Sequence, residues 1–205
     1  MHVIWDLGDT LITRPPGGQD LRPLTEYPEI QLRAGARPAL ERLAARGCRH
    51  AVLSNTAAST SADVRRLLRR LGVLDWFDVV MATASELDPS RPGKPDAAVF
   101  HQVLAAWGHP AAQEGNPATA GPALEGGDVV MVGNTWAHDV VGATGAGIAA
   151  IFLTNPAISV RRPSDPPAAC PPWVIPVWDL SDVPCAVQLL GHLRAGPAAT
   201  ALADA

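Results

Sequence analysis

The chain has 205 residues, enough for one full core and few for two. Apolar residues make up 47% and charged residues 18%, a globular profile, and the net charge of −4 offers no basic surface for nucleic acid. No apolar run reaches the roughly 18 residues of a membrane span. The amino terminus shows no charged lead-in to a longer apolar segment, so a cytoplasmic location is expected.

The first strand is read at Val3-Ile4-Trp5, because β-branched and aromatic residues suit a sheet covered on both faces. It runs straight into Asp6-Leu7-Gly8-Asp9-Thr10, two acids, a glycine and a hydroxyl at a strand end, where open α/β sheets bind their ligands. Taken alone, Asp6 or Asp9 is equally a turn cap. Residues 14–32, rich in Pro and Gly, form an expected surface loop, either a lid or a small specificity loop.

A helix over Pro38–Arg46 stops at Gly47, and His50–Leu53 is the second strand, ending in Ser54-Asn55-Thr56. The spacing of Val64, Leu67, Leu68 and Leu71 predicts a helix over Ala62–Leu71 with four arginines facing solvent. Val79–Ala82 is the third strand. Lys94-Pro95 is expected to open the helix that runs on to Trp107, since Pro suits a first helical turn. Residues 109–127 read as a low-complexity insertion.

The fourth strand is placed at Asp128–Val132, followed by Gly133-Asn134-Thr135-Trp136-Ala137-His138-Asp139 and a Gly/Ala-rich helix. Ala149–Leu153 is a fifth strand, 155–172 a Pro-rich loop, Val174–Val177 a sixth strand and Val183–Leu193 the last helix. Residues 196–205 read as a frayed tail, so that one domain spans 1–195. Strands alternating with helices at this spacing indicate a parallel sheet with helices on both faces.

Cys48, Cys170 and Cys185 form no C-x-x-C pair, and neither zinc nor a disulfide framework is expected. His2, His50, His101, His109 and His192 show no metal-ligand spacing. His138 lies beside Asp139, but neighbours on a helix point apart, so it reads as a surface histidine, and Trp107 and Trp136 read as packing. Of sixteen basic residues fifteen are Arg, and the sole lysine is Lys94, a slim point charge suited to a tight anionic pocket.

Four segments carry polar groups at or soon after a strand end. They are Asp6-x-Gly8-Asp9-Thr10, Ser54-Asn55, Lys94-Pro95-Asp96 and Gly133-Asn134 with Asp139, and in a parallel sheet those ends lie on one edge. In this order they make the chain resemble the haloacid dehalogenase-like superfamily. The likeness is carried by Val3-Ile4-Trp5-Asp6-Leu7-Gly8-Asp9-Thr10-Leu11, Ala51-Val52-Leu53-Ser54-Asn55-Thr56, Gly93-Lys94-Pro95-Asp96-Ala97-Ala98-Val99-Phe100 and Val132-Gly133 through Asp139 to Gly147.

The resemblance implies a Rossmann-like three-layer sandwich and a Mg²⁺-dependent phosphatase acting on a small phosphorylated substrate through an aspartyl-phosphate. Asp6 would be the nucleophile, and Asp6, the carbonyl of Gly8, Asn134 and Asp139 would hold Mg²⁺. Ser54, Asn55 and Lys94 would bind and neutralise the phosphoryl oxygens, and Thr10 would orient the loop.

The sequence departs from the family twice. The second acid expected two residues after the nucleophile is Gly8, with Asp9 one place later as its candidate replacement, and the usual acid after Gly133 is Asn134. No sizeable cap is encoded, so specificity is expected to fall to residues 14–32 and 109–127. Dehalogenation of a 2-haloacid, which needs no acid at Gly8, and a non-catalytic phospho-ligand binder stand as alternatives.

Overall fold

The computed structural model describes residues 1–88, 90–108, 128–167 and 174–195. The expected insertion at 109–127 and the tail at 196–205 therefore lie outside the described residues. Six strands, β1 (His2–Trp5), β2 (Arg49–Ser54), β3 (Phe77–Ala82), β4 (Val129–Gly133), β5 (Ala149–Leu153) and β6 (Val174–Val177), form one parallel sheet in the order β3-β2-β1-β4-β5-β6. The chain builds outward from β1 to β3, crosses back, and builds outward again from β4. The reversal falls between β1 and β4, which pair with Trp5 opposite Val132.

Side chains alternate across each strand, so β1 sends Val3 and Trp5 to one face and Ile4 to the other. The first face is covered by helices α1 (Ala36–Ala44), α2 (Ser61–Arg70) and α5 (Val183–Ala195), through Leu40, Leu43, Val64, Leu67, Leu68 and Leu190. The second is covered by α3 (Ala97–Ala106) and the helical segment after β4, through Phe100, Val103, Val140 and Ala143. Each fully buried Leu or Phe contributes roughly 1.5–3 kcal/mol. A switch of helix face when the strands reverse direction is what right-handed crossovers require. Trp5, the largest buried side chain, has its indole N–H satisfied by His50 Nδ1 at 3.0 Å.

Element boundaries fall within a few residues of those expected, with two informative differences. Lys94-Pro95 does not open α3. The helix is capped by Asp96, whose carboxylate accepts from the Ala98 amide at 2.9 Å, which leaves Lys94 on the preceding turn at the sheet edge. The helix after β4 begins early, as a wide π turn over Trp136–Val140 that leads into α4 (Val141–Gly145). Among the four arginines of α2, Arg70 is not merely solvated, because its guanidinium donates to the carbonyls of Thr25 and Tyr27 at 3.1 and 2.9 Å.

Residues 14–32 form an excursion closed at its neck. Thr13 and Gln31 pair backbone to backbone, and Arg33 N donates to Leu11 O. Its tip is fixed by Asp20, a buried carboxylate that accepts from the amides of Ala57, Ala58 and Ser59 just beyond β2. That excursion is a pinned wall. No described helix is long and apolar enough to cross a membrane.

Candidate active site

At the β1/β4 reversal the chain turns sharply after Trp5. The Asp6 amide donates to Val132 O, and Leu11 and Ile12 both donate to Leu7 O. The turn closes because Asp9 adopts a left-handed backbone, φ 59°, which Asp tolerates better than most residues. Leu7, Leu11 and Ile12 are buried and anchor it, while the Asp6 carboxylate is left at the sheet edge.

Three charged side chains meet there. Lys94 Nζ lies 2.7 Å from Asp6 Oδ1 and 2.6 Å from Asp139 Oδ1, and both Lys94 and Asp139 are buried. Two carboxylates share one ammonium, so the cluster keeps one negative charge over. Burial alone would pull Lys94 down, but the two carboxylates outweigh it and hold the ammonium above its ordinary value. Burial pushes Asp139 up, to about 6, against the opposing pull of Lys94. The remaining oxygen of Asp139 accepts the Thr135 amide at 2.9 Å. Gly133 must be glycine here, since a Cβ would overlap the Asp139 carboxylate.

Behind the cluster, Thr10 Oγ1 stands 3.0 Å from Asp6 Oδ2 and 3.1 Å from Asn134 Oδ1, with one proton for two acceptors. Asn134 is fully buried, and its amide donates to Ile158 O at 2.6 Å. A carboxylate at that position would face the carbonyl with no proton between them, so the neutral residue matches the loop after β5. Asn134 braces that loop and, unlike Asp6, Gly8 and Asp139, does not line the cavity.

Asn55 is similarly committed. Its Oδ1 accepts the Lys94 amide and its Nδ2 donates to Lys94 O, both at 2.8 Å, a two-point clamp on the lysine backbone. Ser54, nearly buried, lines the cavity beside it. Asp9 is drawn elsewhere, into an ion pair of 2.6 Å with Arg14 and a longer one of 3.9 Å with Arg33, and is absent from the cavity wall. Gly8 does line it, and a Cβ there would meet only Arg14 Cγ at 3.9 Å.

The cavity holds about 320 Å³ and opens to solvent between three walls. Gln19 and Asp20 come from the 14–32 excursion, Glu86 from the segment after β3, and His138, Arg162 and Asp165 from the far side. His138 is exposed as expected, yet it stands at the cavity mouth, its basicity lowered by partial burial and by Lys94. Trp136 and Trp107 pack as expected, and the Trp136 indole donates to Pro166 O at 2.8 Å with Arg161 stacked 3.5 Å over its ring.

Sequence reasoning missed Asp20, Glu86 and the 158–165 wall. The 158–165 wall had a visible signal, since it follows the carboxyl end of β5 just as the four recognised segments follow theirs. Among the described residues no group of three or more His, Cys, Asp or Glu side chains is placed to hold a metal. The donor set on offer is two carboxylates and a backbone carbonyl.

The family model for haloacid dehalogenase-like hydrolases matches residues 6–147. A protein from Listeria monocytogenes serotype 4b, described as uncharacterized, is 42% identical over 92% of this chain and 97% of its own, with a TM-score of 0.81. A D,D-heptose 1,7-bisphosphate phosphatase from B. bronchiseptica, solved with magnesium and phosphate, shares the fold at 15% identity, with 92% and 98% coverage and a TM-score of 0.62. A predicted phosphoglycolate phosphatase from Haemophilus somnus, at 22% identity and a TM-score of 0.53, is matched over 78% of this chain but only 59% of its own. No curated protein matches. This chain belongs to the haloacid dehalogenase-like hydrolases.

Proposed function

We propose that the protein is a Mg²⁺-dependent phosphomonoester hydrolase working through an aspartyl-phosphate on Asp6. The observation that carries this reading is the convergence of Asp6 and Asp139 on Lys94 at the mouth of the β1/β4 reversal.

Asp6 is the more exposed carboxylate of the cluster, 8% against 1% for Asp139, and a hydroxyl, Thr10, fixes its orientation. Lys94, held by Asn55 and unable to swing away, offsets the charge of phosphoryl oxygens that approach Asp6. Ser54 offers its hydroxyl from the adjacent strand end. Asp6, the Gly8 carbonyl and Asp139 would hold Mg²⁺, a donor set of hard oxygens that carries the excess negative charge such an ion neutralises. When bound it supplies the positive charge that lets a carboxylate approach an anionic phosphorus. Asn134 serves behind these ligands as a brace.

The test is phosphate release from p-nitrophenyl phosphate with Mg²⁺ present, which Asp6→Asn should stop. Halide release from a 2-haloacid without added Mg²⁺ would replace this reading with dehalogenation. Phosphate-analogue binding with no turnover of any ester would replace it with a non-catalytic binder.

A further inference from the structure

Resting on the phosphatase reading, the structure leaves one chemical task unassigned. An alkyl phosphate cannot leave as an alkoxide without a proton, yet Gly8 has no side chain and the Asp9 carboxylate is ion-paired with Arg14 outside the cavity. We propose that Glu86 is the general acid and base of this site.

Glu86 and Asp6 line the same cavity. Its segment, just past β3, is pinned to the loop after β2, where Glu86 N donates to Thr56 O at 3.0 Å and Ala84 N to Thr56 Oγ1 at 3.0 Å. The side chain lines the cavity that holds Asp6, and also the adjoining groove that holds Lys94, His138 and Arg91. Among the described residues only the Gln19 amide donates to it, loosely at 3.4 Å to Oε2, which leaves the other carboxylate oxygen open to substrate.

Its surroundings push the carboxyl upward. Partial burial raises Glu86 first, and the Asp20 and Asp6 carboxylates add to the rise, while Gln19 and Arg14 oppose it. The direction of that shift is the one a general acid needs.

In the first step an Asp6 oxygen bonds to phosphorus and the bond from phosphorus to the ester oxygen breaks. The ester oxygen takes that electron pair and the Glu86 proton, leaving as an alcohol. In the second step Glu86, now a carboxylate, takes a proton from water as the water oxygen bonds to phosphorus. The bond from phosphorus to Asp6 breaks, which returns the Asp6 carboxylate, releases hydrogen phosphate and restores the Glu86 proton.

The experiment compares wild type, Glu86→Gln, His138→Gln and Asp6→Asn on p-nitrophenyl phosphate and on a simple alkyl phosphate with Mg²⁺. p-Nitrophenolate leaves without a proton, so Glu86→Gln should give a burst equal to the enzyme concentration and then slow turnover. Its kcat/KM on the alkyl ester should fall by about 10²–10⁴-fold, with loss of the alkaline limb of the pH profile. Equal losses on both esters, no loss on either, or the burst pattern in His138→Gln instead, each overturns the assignment of Glu86. Release that Asp6→Asn does not abolish overturns the phosphatase reading as well.

Discussion

The floor and the rim of the cavity are built on different terms. On the floor, and just behind it at Thr10 and Asn134, Thr10, Ser54, Lys94, Asn134 and Asp139 are all at most 4% exposed, Asp6 is 8% exposed, and each is tied to strand ends or to its neighbours. On the rim, Arg14, Glu86, His138 and Arg162 are exposed and ride on connecting segments. A buried charge must be matched to be tolerated, so the floor admits few alternatives. The rim has no such constraint, which makes it the place where substrates can be told apart.

The comparison predicts that floor substitutions cost both stability and activity and rim substitutions cost activity alone. Asp6→Asn tests the floor hardest, with turnover expected to fall on the order of 10⁴-fold or more, measured as phosphate release at saturating p-nitrophenyl phosphate. Lys94→Met leaves two carboxylates buried without a counter-charge and should lower unfolding free energy by about 3–5 kcal/mol in urea titration. Lys94→Arg should not rescue it, since a planar fork does not fit between two carboxylates set for a single nitrogen.

Acid tests the core beneath the floor. Burial pulls His50 down to about 4 from 6.5, and its Nδ1 must stay unprotonated to accept from Trp5. The unfolded chain binds the extra proton below 6.5 while the folded one does not. Stability is therefore whole above pH 6.5 and falls as pH drops toward 4, by about 3 kcal/mol at most. Asp139, raised in the fold, acts in the opposite sense over the same range, so the measurement is the difference: between pH 7 and 4 wild type should lose about this much stability relative to His50→Gln.

Asn134→Asp sharpens the comparison. It restores the acid usual in relatives but sets a carboxylate against Ile158 O, so a loss of about 1–3 kcal/mol is expected, with faster proteolysis of the 155–167 segment. A gain in both stability and Mg²⁺-dependent turnover would show that Asn134 is no brace. At the rim, Arg162→Ala should leave the melting temperature within the equivalent of about 0.5 kcal/mol.

Much of the floor was legible in the sequence because strands write a plain pattern. Val3-Ile4-Trp5 and Ala51-Val52-Leu53 are uninterrupted apolar runs, and the polar residues that follow them fall on one edge once the sheet is parallel. The lone lysine singled out Lys94, which the fold buries between Asp6 and Asp139. For Asn55 and Asn134, expected as ligands for substrate and metal, spacing brings the residue to the site but does not foretell that their amides engage Lys94 and Ile158. Asp20 and Glu86 gave no signal. Their positions depend on the excursion over 14–32 meeting the loops after β2 and β3, a contact between irregular segments that no periodicity records.

The order of strands has a consequence for how this protein is born. Asp6 and Lys94 are 88 residues apart and Lys94 and Asp139 another 45, and the partners meet only after the chain has travelled to one border of the sheet and returned. A nascent or truncated chain that ends before β4 carries Asp6 with no companion across the reversal. The three-residue cluster is thus completed only when β4 seats beside β1, so its assembly during refolding marks closure of the central reversal.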